Sequence, residues 1–131
     1  MGKFNWPVRV YYEDTDAGGV VFYANYLKFF ERARTEMLRS LGFEQDRLIE
    51  EQGIIFVVRS VQVDYLKPAR FNEQIQVSAE VTQAKKTNFL FAQEICRDDD
   101  LLCKGEVRIA CLDAETMRPK AVPAEILEHL I

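Results

Sequence analysis

The sequence is poor in the residues that most metal and thiol chemistry relies on. It has a single histidine, His129, and three cysteines, Cys96, Cys103 and Cys111, in 131 residues. One histidine close to the end of the chain cannot build a histidine-rich metal centre, and the cysteines lack the CxxC spacing of a zinc ribbon or redox pair. An odd set of cysteines points instead to small free thiols packed in strands. A Cys–His dyad would require the C-terminal tail to fold back over the site. No apolar run approaches the length of a membrane span. The opening MGKFNWPVRV has no apolar signal-peptide core, and Trp6 stands where a myristoylation signal needs Ser or Thr. A cytoplasmic location is the resulting expectation. Excess positive charge is absent too: the net charge of -4 argues against nonspecific nucleic-acid binding and leaves only local basic patches to meet a phosphate. There is no repeat, low-complexity tract or interdomain linker.

What remains is an ordinary globular composition, 48% hydrophobic and 29% charged, long enough to bury a core in one domain spanning residues 1–131. Residues 7–13 alternate, with Val8, Val10 and Tyr12 on one side, and predict a strand that begins at Pro7. Asp14 to Gly19 predict a turn. From about Asn25 to Leu41 the period changes to a helical one. Tyr26, Phe29, Phe30, Ala33, Met37 and Leu41 share one face and Gly42 supplies the stop. Residues 44–52 suggest a short helix. After Gly53 the pattern is mainly β, over 54–66, 75–82, 89–97 and 101–113, with the last two as a hairpin across Asp98-Asp99-Asp100. Pro119 and Pro123 interrupt the tail before a final short helix at 124–130. The apolar run 54–58 predicts a strand covered on both faces.

The segment YYEDTDAGGVVFYANY, Tyr11 to Tyr26, places a carboxylate, Asp16, on a glycine-rich turn just ahead of the long helix. A carboxylate can activate water or attack an electrophile, and unpaired N–H groups at a helix start can receive charge from a carbonyl oxygen. Gly18 and Gly19 allow close backbone approach. The competing reading of Asp16 is a turn or cap aspartate. For Asp14, a turn former that orients the loop, and for Asn25, a cap or first-turn residue, that structural role is the preferred one.

Two segments, DTDAGGVVFYANYLKFFERARTEML and VVRSVQVDYLKPARFNEQIQV, together with GEVRIACLD near the end, resemble the 4-hydroxybenzoyl-CoA thioesterase family of hotdog-fold proteins. Within that family the resemblance is nearest to the Tol-Pal-associated acyl-CoA thioesterase subgroup. It implies an α+β hotdog fold, a curved antiparallel sheet of about five strands wrapped around one long central helix. It also implies dimers with a continuous sheet, paired into a homotetramer with active sites at subunit interfaces. The implied activity is hydrolysis of an acyl-CoA thioester without metal or other cofactor, with Asp16 as nucleophile or general base and the backbone N–H of Tyr23 on the thioester carbonyl. Some members of the subgroup carry His where this chain has Tyr23, so no histidine is assigned to catalysis.

Tyr12, Gly18, Gly19, Val20, Val21 and Phe22 are the expected substrate-pocket residues. Lys85, Lys86 and Thr87, with Arg59 as a weaker candidate, are the expected contacts for the CoA phosphates. Glu31 and Glu36 on the long helix form an alternative carboxylate set that reads better as solvated ion-pair partners. The alternative function is a noncatalytic acyl-chain or acyl-carrier-protein binding adaptor on the same fold. A hotdog dehydratase is disfavoured, since no histidine lies near the motif. The acyl group, the carrier and the choice between dimer and tetramer are not written in the sequence.

Overall fold

The computed structural model describes residues 2–130. The elements run β1 (Phe4–Arg9), a short 3-10 turn (Tyr12–Asp14), α1 (Asn25–Ser40), α2 (Gln45–Gln52), β2 (Ile54–Tyr65), β3 (Gln74–Ala84), β4 (Asn88–Arg97), β5 (Asp100–Asp113) and α3 (Ala124–Leu130). The five strands form one antiparallel sheet in the order β1-β3-β4-β5-β2. This is the α+β hotdog architecture that the resemblance implies.

The sheet closes on α1 because both elements carry a matching apolar face. Phe29, Phe30, Ala33 and Met37 are fully buried on one side of the helix, with Tyr26 nearly so. Against them stand Ile75, Val77 and Ala79 of β3 and Phe89, Phe91 and Ile95 of β4, at the alternate positions that face one way in a strand. Each of the larger side chains among them contributes about 1.5–3 kcal/mol by leaving water, the alanines less. Gly42 ends the α1 segment at a φ of 95°, which a side chain would strain.

Two polar groups are drawn into this core. Gln93, in the middle of β4, donates from Nε2 to the carbonyls of Phe30 and Ser78 and accepts at Oε1 from Arg34 of α1 at 3.0 Å. Arg34 is only 8% exposed, and burial pulls its guanidinium down to about 10, with Glu31 opposing the shift. Gln93 is cross-strand from Gly105 of β5. The missing side chain at Gly105 is the space into which the Phe30 ring fits.

Three expectations from the sequence need correction. The first strand lies at Phe4–Arg9 rather than 7–13, and Tyr12 belongs to the 3-10 turn, because the Asp14 carboxylate accepts from the Tyr11 N–H at 2.8 Å and folds the chain there. Pro7 sits inside β1, tolerated because β1 is an edge strand. Arg59 does not simply alternate within β2. It occupies a bulge between Val58 and Ser60, which shifts the pairing so that Val61, Val63 and Tyr65 lie opposite the inward positions Val107, Gly105 and Cys103. Within one chain the 54–58 run is only partly covered: Ile54 is buried and Val58 is 53% exposed, with the neighbouring Val61 at 43%. The two valines border a groove of about 280 Å³ between α1 and β2, lined also by Leu27, Glu31 and Arg34.

Gly105→Ala tests the packing of α1 on the sheet. The added Cβ would lie 2.9 Å from Cε2 of Phe30 and 3.2 Å from the Gln62 carbonyl oxygen. The expected outcome in urea unfolding is a loss of about 1–3 kcal/mol.

Candidate active site

The Asp14–Phe22 segment folds as a small hairpin with Asp16 near its tip. The Asp16 N–H donates to Val20 O at 3.0 Å, the Phe22 N–H donates to Asp14 O at 3.0 Å, and Thr15 bridges Val21 between them. The turn is closed by the Gly19 N–H on the Asp16 carbonyl at 3.0 Å, with Gly19 at a φ of 77°. Glycine is the residue that adopts this conformation freely. Oδ1 of Asp16 accepts from the Gly18 N–H at 2.9 Å, so one carboxylate oxygen is oriented by the backbone and the side chain stays exposed. Gly18 has its own constraint, since a Cβ there would stand 3.2 Å from that oxygen.

Asp14 and Asn25 take the structural roles expected of them. Asp14 is buried, its carboxylate spent on the Tyr11 N–H. Its carbonyl accepts both the Phe22 N–H and Nδ2 of Asn25, at 3.0 Å and 2.9 Å. The hairpin is thereby tied to the first turn of α1. The Asn25 N–H bonds back to Phe22 O at 2.8 Å. Among the described residues, no acceptor takes the N–H of Tyr23 or Ala24. These are the open donors of a helix start.

The loop is braced from below by the connection after β2. Val21, buried, donates to Ala69 O at 2.8 Å, and Val20 bridges Arg70. The Ala69 N–H donates to the Tyr26 hydroxyl at 3.0 Å. The Tyr65 hydroxyl donates to the Tyr23 carbonyl at 3.1 Å, and its ring meets those of Tyr23 and Tyr26 edge-on at 6.2 Å and 5.3 Å. Together with Val21, Leu66 and Pro68, these three tyrosines line a cleft of about 270 Å³. Tyr65 and Tyr26 therefore join the site although sequence reading did not single them out. The available signal was the DYLKPAR segment, but simple alternation through Arg59 turns Tyr65 the wrong way.

The other expected pocket residues are arranged unevenly. Phe22 is 44% exposed and its ring tilts over Tyr23 at 4.8 Å. Tyr12 is 79% exposed and packs edge-on against Phe71 at 5.8 Å. Lys85, Lys86 and Thr87 form the turn between β3 and β4, anchored by Lys85 N–H on Asn88 O, Cys111 N–H on Thr87 O and Val122 N–H on Lys86 O. Both lysines are exposed, and among the described residues neither they nor Arg59 form an ion pair. The β3 strand runs from the neighbourhood of the hairpin, where Val10 N–H bonds Glu73 O, to this turn. At about 3.3 Å per residue β3 is roughly 35 Å long, so the hairpin and the lysine turn flank its opposite ends.

The remaining candidates for nucleophile or acid are occupied elsewhere. Burial pushes the Cys103 thiol up to about 12 and raises Cys111 and Cys96 as well. The His129 ring packs on Phe43. Glu36 is paired with Arg39 at 3.1 Å, and Glu31 sits at the lip of the α1–β2 groove. Among the described residues, no group of three or more His, Cys, Asp or Glu side chains is arranged to hold a metal ion, and no helix is long and apolar enough to cross a membrane.

Comparison with known proteins gives a consistent match to this fold. The Thioesterase-like superfamily matches residues 10–130. A Haemophilus influenzae protein named acyl-CoA thioesterase YbgC is 50% identical over 123 residues, covering 94% of this chain and 90% of that one. A Helicobacter pylori protein of the same name is 35% identical, over 93% of this chain and 96% of its own. The crystal structure of a probable thioesterase from Bartonella henselae superposes with a TM-score of 0.89 at 32% identity, covering 93% of this chain and all of that one. With the match extending over the hairpin, the long helix and strands β2 to β5, the chain belongs to the Thioesterase-like superfamily.

Proposed function

We propose that this protein hydrolyses acyl-CoA thioesters to the free acid and CoA, with the carbonyl bound at the start of α1 and Asp16 acting on it. The observation that carries the reading is the pairing, in one small hairpin, of an exposed and backbone-oriented Asp16 carboxylate with a helix start whose Tyr23 and Ala24 N–H groups lack acceptors. The extensive identity to relatives named as acyl-CoA thioesterases supports the same reaction.

A thioester carbonyl is electrophilic and its thiolate leaves readily, so a modest device suffices. The Tyr23 N–H donates to the carbonyl oxygen as negative charge builds there, a kind of contact whose loss costs roughly 3–4 kcal/mol of barrier. Asp16 either attacks the carbonyl carbon or takes the proton from an attacking water, and base catalysis of the second kind typically contributes about 10²–10⁴-fold. With water as nucleophile, its oxygen forms the new C–O bond, and the CoA thiolate leaves and takes up the proton. With Asp16 as nucleophile, the thiolate leaves from a mixed anhydride that a water then cleaves to the free acid, restoring the carboxylate. Val20, Val21, Phe22, Gly18 and Gly19 border the acyl group in this reading. Tyr12, farther out beside Phe71, meets the pantetheine arm.

In this reading the phosphates of CoA fall to Lys85, Lys86 and Thr87 of a neighbouring copy, with Arg59 as a further candidate on β2, and the length of β3 between that turn and the hairpin supports the choice of a second chain. An oligomer is thus part of the proposal. The open edge of β2 and the exposed Val58 and Val61 provide the surface for a continuous sheet in a dimer, and a homotetramer joins the lysine turn of one pair to the hairpin of the other. Residues 1–131 act as one domain in this assembly, which we take to be cytoplasmic and to belong with the Tol-Pal-associated subgroup. An acyl-carrier-protein thioester is the alternative form of the same electrophile.

Thiol release from acyl-CoA substrates of graded chain length, and from benzoyl-CoA, tests the reading. Asp16→Asn is expected to lower kcat by about a hundredfold or more. Saturable acyl-CoA binding with no turnover by the wild-type protein would instead establish the adaptor function. Replacing Lys85 and Lys86 together with Ala is expected to raise KM about tenfold while kcat stays within about twofold, an effect that added salt should diminish.

A further inference from the structure

The carbonyl of Tyr23 and the N–H of Ala24 belong to one planar peptide unit, so whatever holds the first fixes the direction of the second. That carbonyl is not used by the helix. The Leu27 N–H bonds Ala24 O at 3.2 Å, and the Asn25 N–H bonds Phe22 O. The acceptor left free at Tyr23 is taken by the Tyr65 hydroxyl at 3.1 Å. A hydrogen bond to a peptide carbonyl also polarises the unit and makes its N–H a better donor.

Tyr65 is well placed for this task. The bulge at Arg59 turns the last part of β2 so that Tyr65 pairs with inward-facing Cys103, toward α1 and the hairpin. Its ring is wedged between Tyr23 and Tyr26, and Tyr26 is itself fixed by accepting the Ala69 N–H. Like any tyrosine, Tyr65 is protonated at neutral pH and can donate, and desolvation pushes its phenol further up.

We propose that Tyr65 is a positioning residue: by holding the Tyr23 carbonyl it aims the Ala24 N–H, which serves beside the Tyr23 N–H as a second donor to the thioester oxygen. The proposal rests on the hydrolase reading above and deepens it, by extending the site from the hairpin to the end of β2. Tyr65 does not touch the reacting atoms. It acts through the peptide, and its ring remains as part of the cleft wall.

Tyr65→Phe removes the hydroxyl and keeps the ring. With benzoyl-CoA and butyryl-CoA, kcat is expected to fall about 5- to 50-fold while KM stays within about twofold and the thermal midpoint is nearly unchanged. A merely structural tyrosine would shift the midpoint or KM instead. The second readout is the infrared stretch of carbonyl-labelled benzoyl-CoA bound to Asp16→Asn. Its frequency should drop on binding, and the drop should shrink when Tyr65→Phe is added. Unchanged kcat in folded Tyr65→Phe, or an unchanged carbonyl shift in the double variant, overturns the proposal. Wild-type turnover and its loss in Asp16→Asn, measured alongside, judge the hydrolase reading separately. The carbonyl shift judges Tyr65 even if no turnover is seen.

Discussion

The carbonyl oxygen of Asp14 accepts from two directions, the Phe22 N–H and Nδ2 of Asn25, and the geometry of the site depends on that junction. One bond closes the hairpin that carries Asp16. The other ties the hairpin to the first turn of α1. The helix cannot shift along its axis, because Phe29, Phe30, Ala33 and Met37 are locked in the sheet and Gln93 reaches from β4 to the Phe30 carbonyl and to Arg34. An exposed carboxylate on a loop is thus referred, through two hydrogen bonds, to a helix packed into the core. This answers the usual weakness of a loop-borne catalytic group, whose placement must be held closely to be effective.

The same junction explains why the helix start is open to a ligand. Asn25 spends its side chain on Asp14 rather than on capping, and Ala24, with no side-chain oxygen, stands at the N-cap. Neither side chain supplies an acceptor to the N–H of Tyr23 or Ala24. At this exposed turn the two N–H groups without a protein acceptor are open to a ligand in place of water.

Much of this was legible in the chain because period and punctuation are local. The Tyr26–Met37 stripe and Gly42 predicted α1 almost to the residue, and the alternation from Ile75 to Val81 predicted β3. What escaped depends on partners far away in sequence. The bulge at Arg59 sits in a run of β-branched residues whose pattern permits either parity, and only pairing with β5 decides which side Tyr65 faces. Arg34 reads as a surface residue until Gln93, 59 positions on, supplies its acceptor. The YYED stretch reads as strand because its alternation is intact. The Asp14 side chain overrides it by capping Tyr11. Lys85 and Lys86 were correctly read as a basic turn, but the length of β3 puts that turn at the far end of the sheet from Asp16. In the proposed oligomer, the basic turn and the carboxylate that meet one substrate come from different copies.

The central claim is that a thioester carbonyl is held at the start of α1 within reach of residue 16. A crystal structure of Asp16→Asn with an intact acyl-CoA tests it most directly. The account predicts the thioester oxygen about 3 Å from the backbone nitrogen of Tyr23, with the carbonyl carbon facing the side chain at position 16. An acyl-CoA bound with its carbonyl elsewhere, for example along the α1–β2 groove beside Arg34, would contradict it.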